Sequence, residues 1–123
     1  MSGLLITGAT LVDGSRRDLL IRGGFLLDPA DATAADERLD ADGLLALPGL
    51  VDPHTHLREP GREDAETVAS GTRAAARGGY TAVTAMANLT PVTDTPAAVR
   101  HLASIAEADA HAEVIVVGAI TKG

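Results

Sequence analysis

One segment guides the interpretation of the whole chain: Leu50-Val51-Asp52-Pro53-His54-Thr55-His56-Leu57-Arg58-Glu59-Pro60-Gly61. Its first three residues predict a short apolar strand that runs directly into polar residues. Residues i and i+2 of a strand point to the same side, so His54 and His56 project together at its carboxyl end. Two neutral imidazoles at this spacing suit a divalent transition metal such as zinc. The alternative is a pair of surface histidines in a loop.

The residues after this segment predict alternating helices and strands. Ala65, Val68, Ala69, Thr72, Ala75 and Ala76 make one apolar face of a helix over residues 63–77. Acidic residues in its first turn and Arg73 and Arg77 in its last suit the helix dipole. A strand over residues 80–86 follows, and Thr95-Pro96 predicts the start of a second helix. The apolar run within residues 113–120 predicts a third strand, buried on both faces.

The order from Leu50 is therefore βαβαβ, which predicts an α/β fold. Such units build either an open doubly wound sheet or a closed (β/α)8 barrel. In a barrel, inward-facing residues at the carboxyl ends of the strands line the active site. His54 and His56 occupy that position in the predicted first strand.

The first 49 residues have a different pattern. Short apolar runs separated by Gly and Asp predict small antiparallel strands and hairpins. These runs are residues 4–6, 9–12, 19–21 and 25–27. Further strands are expected near residues 38–40 and over residues 44–47, the last of them stopped by Pro48-Gly49.

Composition excludes several classes of protein. The 123 residues carry a formal net charge of −7, which argues against nucleic acid or an anionic membrane as the main partner. The absence of cysteine excludes a disulfide scaffold, a thiolate zinc finger and a cysteine nucleophile. The N-terminus has neither a basic start nor a long apolar run, so we expect no signal peptide and no membrane span there.

Two further residues are candidates for substrate binding. Arg58 follows His56 by two residues, and its guanidinium fork suits a carboxylate, although a lone arginine is more often a solvated surface residue. Asn88 follows the second strand at the same end, where its amide would bind a carboxylate or stabilise a turn before Pro91. His101 and His111 lie away from the strand ends and are interpreted as surface residues. Asp52 is interpreted as structural.

The segment from Pro48 to Gly61 closely resembles the signature of the dihydroorotase family of the amidohydrolase superfamily. The resemblance continues through Glu63 and Glu66, and through residues 70–72, 74–76, 78–81, 86–88, 94–96 and 118–123. It covers essentially the whole chain. Leu89 and Val117 depart from the pattern, since the family mostly has Thr and commonly has Pro at these two positions.

The resemblance implies a fold, a chemistry and a location. Residues 1–49 would be part of a small β-sandwich, and residues 50–123 the first two and a half units of a (β/α)8 barrel. His54 and His56 would hold zinc, one or two ions per full-length subunit, and Arg58 and Asn88 would bind the substrate α-carboxylate. The implied reaction is the reversible cyclisation of N-carbamoyl-L-aspartate to L-dihydroorotate in pyrimidine biosynthesis. The implied enzyme is cytoplasmic and homo-oligomeric, in possible association with aspartate transcarbamoylase.

Two other functions stay open. A related cyclic amidase, such as a hydantoinase or allantoinase, shares the histidine pair but generally lacks the match over residues 57–61. A non-catalytic dihydroorotase-like subunit that scaffolds aspartate transcarbamoylase usually loses metal ligands, whereas this chain keeps both histidines.

A barrel of this type needs roughly 250 residues, so we expect the chain to be the N-terminal part of a longer protein. In the family, the later metal ligands and the aspartate that acts as acid and base come downstream, so no catalytic residue is expected within these residues. Lys122 is not the carboxylated lysine of the family, which comes later. We expect the 123 residues alone to be inactive and poorly stable.

Overall fold

The structure, a computed structural model, describes residues 2–121. The chain divides into two compact units between Pro48 and Gly49. Residues 46–49 carry no regular structure, in keeping with the missing N–H of Pro48. Lys122 lies outside the described residues. Within residues 2–121, no helix has both the length and the apolar character that crossing a bilayer requires.

The first unit holds a four-stranded sheet in the order β3-β2-β1-β4. Its strands are β1 (Leu4–Thr10), β2 (Arg16–Arg22), β3 (Phe25–Leu27) and β4 (Glu37–Asp40). Antiparallel pairing joins β1 to β2 and β2 to β3, which confirms the predicted hairpins, while β4 pairs with β1 in parallel.

Two sequence predictions for this unit need correction. The runs at residues 4–6 and 9–12 belong mostly to one strand, because β1 continues through Gly8 at a φ of 71° with a shift of register. The strand predicted over residues 44–47 is wrong, since only Leu45 forms a bridge, to Thr10. Thr10 is the last residue of β1, so residues 46 and 47 have no strand left to pair with.

A buried carboxylate ties the first unit together. Asp36 accepts hydrogen bonds from the Gly3 N–H at 2.6 Å and from the Thr33 N–H at 2.7 Å, and it pairs with the Arg22 guanidinium. Its side chain is only 1% exposed. The Thr33 N–H, then Arg22 and the Gly3 N–H, hold the pKa of Asp36 well below its ordinary value.

Because folding lowers this pKa, the Asp36 carboxylate stabilises the fold fully above its ordinary value of 3.8, and this contribution declines as pH falls below it. We expect Asp36→Asn to lower the free energy of unfolding at pH 7 and to weaken its dependence on acid. Denaturant unfolding at pH 7 and pH 3 measures both effects. Asp31→Asn, the same change at an exposed residue, is the control. Equal unfolding free energies for the two variants at pH 7 would contradict the assignment.

The second unit holds a parallel sheet in the order β5-β6-β7. Its elements are β5 (Leu50–Thr55), α1 (Val68–Arg77), β6 (Tyr80–Ala85), α2 (Pro96–Asp109) and β7 (Glu113–Val116). The predicted βαβαβ order is confirmed. Its core consists of Leu57, Val68, Val83, Ala85, Leu89 and Leu102. Three adjacent parallel strands occur both in an open sheet and in a barrel, so the barrel itself stays a prediction.

Helix α1 begins at Val68, five residues later than the sequence predicts. Thr67 and Ser70 form a capping box, in which the Ser70 N–H donates to Thr67 Oγ1 at 3.1 Å and the Thr67 N–H donates to Ser70 Oγ at 2.9 Å. Glu63 therefore lies in a turn before the helix. There it accepts the Gly61 N–H, which lowers its carboxyl pKa.

The third strand is shorter and more exposed than predicted. β7 ends at Val116, and Ile115 is 46% exposed. Within residues 2–121 the prediction of burial on both faces is wrong: Glu113 and Ile115 on one face are exposed, whereas Val114 and Val116 on the other are partly buried. The start of α2 is as predicted, with Thr95 Oγ1 accepting the Ala98 N–H and Pro96 in the first turn.

Candidate active site

The candidate residues lie where two neighbouring parallel strands end. His54 is the next-to-last residue of β5 and His56 directly follows this strand, while Asn88 lies three residues beyond β6. The two imidazole rings stand edge to face, with centroids 5.1 Å apart and planes at 63°. The structure thus brings His54, His56 and Asn88 together at one edge of the sheet.

The backbone at His54 is fixed from within its own strand. Asp52 Oδ1 accepts the His54 N–H at 3.0 Å. Pro53 between them has no N–H to donate to a neighbouring strand, and the pairing with β6 is irregular between Asp52 and Thr55. This hydrogen bond agrees with the structural role predicted for Asp52.

The ring of His56 is oriented by Asn88. Its Nδ1 lies 2.9 Å from Asn88 Oδ1. An amide oxygen only accepts hydrogen bonds, so in the neutral ring the proton sits on Nδ1 and Nε2 keeps its lone pair. Metal-binding histidines show this pattern, with one nitrogen on the metal and the other N–H donated to an oxygen. The bond also leaves the NH2 group of Asn88 as a donor.

His56 and Asn88 line an open cavity of about 400 Å³. Its other lining residues are Met86, Ala87, Val92 and Ala119. A larger cavity of about 850 Å³ includes His111 in its lining but none of the candidate site residues. His101 and His111 are exposed, as predicted, and Arg73 donates to His111 Nε2 at 3.4 Å.

Arg58 occupies an unusual backbone position. Its φ is 66°, and the Glu59 N–H donates to the Leu57 carbonyl at 2.8 Å across it, so Arg58 is the centre of a γ-turn. The side chain is exposed. Among the described residues, no hydrogen bond or ion pair joins it to His54, His56 or Asn88.

The loop that carries Arg58 is attached to the loop that carries Asn88. The Thr90 N–H donates to the Pro60 carbonyl at 3.1 Å. Gly61, at a φ of 109°, lies so close that a Cβ there would be 2.5 Å from the Thr90 carbonyl oxygen. The sequence analysis missed these contacts and the hydrogen bond that Glu59 accepts from the Val68 N–H of α1, since they join residues with no periodic relation.

Leu89 and Val117, the two departures from the dihydroorotase pattern, each make a definite contact in the structure. Leu89 is 6% exposed and belongs to the core, so it anchors the loop beside Asn88. The Val117 N–H donates to the Ala85 carbonyl at 3.0 Å. A proline at that position would lack this donor.

The donor set fits a metal in part. Two imidazole nitrogens are typical zinc ligands, and the Asn88 bond leaves Nε2 of His56 available. Within residues 2–121, no group of three or more His, Asp or Glu side chains is placed to hold an ion. Zinc sites use three or four protein ligands, so two histidines alone would be an incomplete ligand set.

Comparisons with known proteins agree with the resemblance. A family model described as dihydro-orotase-like matches residues 43–123. Dihydroorotases from Leifsonia xyli and Streptomyces coelicolor are 57% and 49% identical to the chain over 97% and 100% of its length. The chain spans 28% and 29% of these two relatives.

Solved structures of two related enzymes are also similar. The L-hydantoinase (dihydropyrimidinase) from Arthrobacter aurescens matches 96% of the chain with a TM-score of 0.83 at 25% identity. The dihydropyrimidinase from Brevibacillus agri matches 93% with a TM-score of 0.73 at 27% identity. The chain covers 28% and 26% of these two structures.

The bond between His56 and Asn88 predicts a ring tautomer. We expect the neutral His56 ring to carry its proton on Nδ1, and Asn88→Leu to abolish this preference because leucine offers no acceptor. Imidazole ¹⁵N chemical shifts at alkaline pH report the tautomer directly. His101, exposed on α2, serves as the internal control. An unchanged His56 spectrum in the variant would contradict the assignment.

Proposed function

The chain belongs to the dihydro-orotase-like family, and from this premise we propose that the full-length protein is a dihydroorotase. The reaction is the reversible, metal-dependent cyclisation of N-carbamoyl-L-aspartate to L-dihydroorotate. The observation that carries the proposal is the family match over residues 43–123, which includes the His54–His56 pair at the end of β5. Relatives with the name dihydroorotase, up to 57% identical, support it.

We propose that residues 50–123 form the first two and a half units of a (β/α)8 barrel and residues 1–49 part of a β-sandwich. The parallel order β5-β6-β7, with helices between successive strands, supports the barrel. The mainly antiparallel sheet of the first unit supports the sandwich.

In this proposal, His54 and His56 hold zinc together with ligands from the rest of the full-length protein. When bound, the metal lowers the pKa of water and polarises the carbonyl of the cyclic amide. The contribution of this chain is to present the two imidazoles on one side of β5. Asp52 holds the His54 backbone, and Asn88 keeps the proton of the neutral His56 ring on Nδ1.

Arg58 and Asn88 bind the substrate carboxylate. A buried carboxylate is costly unless it is paired, and the Arg58 guanidinium is an exposed cation two residues beyond His56. The NH2 group of Asn88 adds a second donor at the cavity that His56 lines. When Arg58 and Asn88 hold the carboxylate, the carbonyl of the substrate ring is oriented relative to the histidine pair.

A cyclic amidase that acts on rings without the carboxylate is the second candidate. It is favoured by the likeness to the hydantoinase and dihydropyrimidinase structures. The two candidates differ in whether the substrate carries a carboxylate, so the part played by Arg58 separates them. Self-association, association with aspartate transcarbamoylase and a cytoplasmic location stay predictions.

Replacing either His54 or His56 by alanine in the full-length protein should lower both its zinc content and its turnover, since each change removes a ligand. Elemental analysis and steady-state kinetics measure the two quantities. His101→Ala is the matched control, because this exposed histidine lies on α2. Zinc content unchanged in the double variant would contradict the ligand assignment.

Arg58→Met should lower kcat/KM for dihydroorotate by about 10- to 200-fold with zinc content unchanged, since a charge-assisted hydrogen bond contributes about 1.5–3 kcal/mol. Arg58→Lys should restore activity in part, because it keeps the charge but not the fork. Arg62→Met, at an exposed arginine of the same loop, is the control. Kinetics on dihydroorotate and dihydrouracil test the proposal; an unaffected Arg58→Met enzyme that prefers dihydrouracil would refute it.

A further inference from the structure

The γ-turn at Arg58 is held by the residues on either side of it. A positive φ is unfavourable for a residue with a side chain, so the surrounding contacts must impose it. Leu57, immediately before, is 1% exposed and belongs to the core. Glu59, immediately after, is half-buried, and its Oε2 accepts the Val68 N–H at 2.6 Å.

The hydrogen bond from the Val68 N–H to Glu59 supplies a partner that helix α1 itself does not offer. The first N–H groups of a helix have no partner within it. The capping box satisfies Ser70 and the N-cap residue Thr67, but not Val68. Val68 is fully buried, so water does not replace the missing partner. A carboxylate suits this place because the N-terminus of a helix favours negative charge.

Leu57 and Glu59, which flank the turn, therefore both contact the core of the second unit. Leu57 and Val68, the residue whose N–H donates to Glu59, belong to one core cluster. Between Leu57 and Glu59, Arg58 is the residue left exposed. Directly after Glu59, the Pro60 carbonyl accepts the N–H of Thr90, which lies in the loop that carries Asn88.

We propose that Glu59 is a positioning residue for substrate binding: its carboxylate, bonded to the first N–H of α1, holds the γ-turn that presents Arg58. This inference rests on the proposed function, in which Arg58 binds the carboxylate of the substrate. Without the bond, the turn relaxes to ordinary backbone angles and the Arg58 side chain leaves the backbone in a different direction. Glu59 itself does not contact the substrate.

Glu59→Ala in the full-length enzyme should raise KM for dihydroorotate by about 10- to 100-fold, with a smaller change in kcat and zinc content unchanged. Thr67→Ala is the matched control, because it weakens the same helix terminus without touching the turn. The control should destabilise the enzyme but change KM by less than about twofold. A KM unaffected in Glu59→Ala, or raised equally in Thr67→Ala, would overturn the inference.

A double-mutant cycle with Arg58→Met separates positioning from general damage. If Glu59 acts through Arg58, adding Glu59→Ala to Arg58→Met should raise KM no further, whereas independent effects multiply. Multiplied effects would overturn the inference. Should Glu59→Ala not fold, Glu59→Gln carries the same cycle, with a rise in KM of about two- to fivefold expected in the wild-type background and none in Arg58→Met.

The same kinetics distinguish a failure of the proposed function from a failure of the role inferred for Glu59. A wild-type enzyme that hydrolyses dihydrouracil but not dihydroorotate would overturn the proposed function and this inference with it. A wild-type enzyme active on dihydroorotate, combined with a Glu59→Ala variant of unchanged KM, would overturn the inference alone.

Discussion

Leu57 is buried against the helices and against β6, and the candidate site depends on this contact. It is 1% exposed, and it shares its cluster with Val68 of α1, Val83 of β6 and Leu102 of α2. The helix comes close enough because Gly71 has no side chain, since a Cβ there would lie 2.8 Å from Leu57 Cδ2. With Leu57 fixed, its two neighbours, His56 and Arg58, are left on the accessible side of the loop.

Polar hydrogen bonds then support the segments that carry the candidate side chains. Asp52 Oδ1 accepts the His54 N–H, Asn88 Oδ1 is bonded to the His56 ring, and Glu59, next to Arg58, accepts the Val68 N–H. All three are bonds to a carboxylate or amide oxygen, and each fixes one group through a neighbour that is not itself proposed to react. Such supporting contacts position groups more precisely than the backbone alone can, which matters because small displacements cost much activity.

The chain is similar both to dihydroorotases and to hydantoinases. A common scaffold with a histidine pair does not by itself choose the ring. The discriminating feature is a single carboxylate on the substrate, so specificity in the proposal falls on the exposed cation, Arg58, and on Asn88. The buried Leu89 secures the loop that carries Asn88, and in this way a residue atypical of the family still supports the site.

The sequence by itself determined the βαβαβ order, the shared side of His54 and His56, and the start of α2 at Thr95 and Pro96. These features follow from local periodicity and from interactions within one turn of chain. The tertiary structure decided the start of α1, the single bridge at Leu45 in place of a strand, and the exposure of β7. It also decided the partners of His56 and Glu59, which lie 32 and 9 residues away in sequence. No period or cap signal links such residues, because their bonds form only once Leu57 and the parallel strands have brought the loops together.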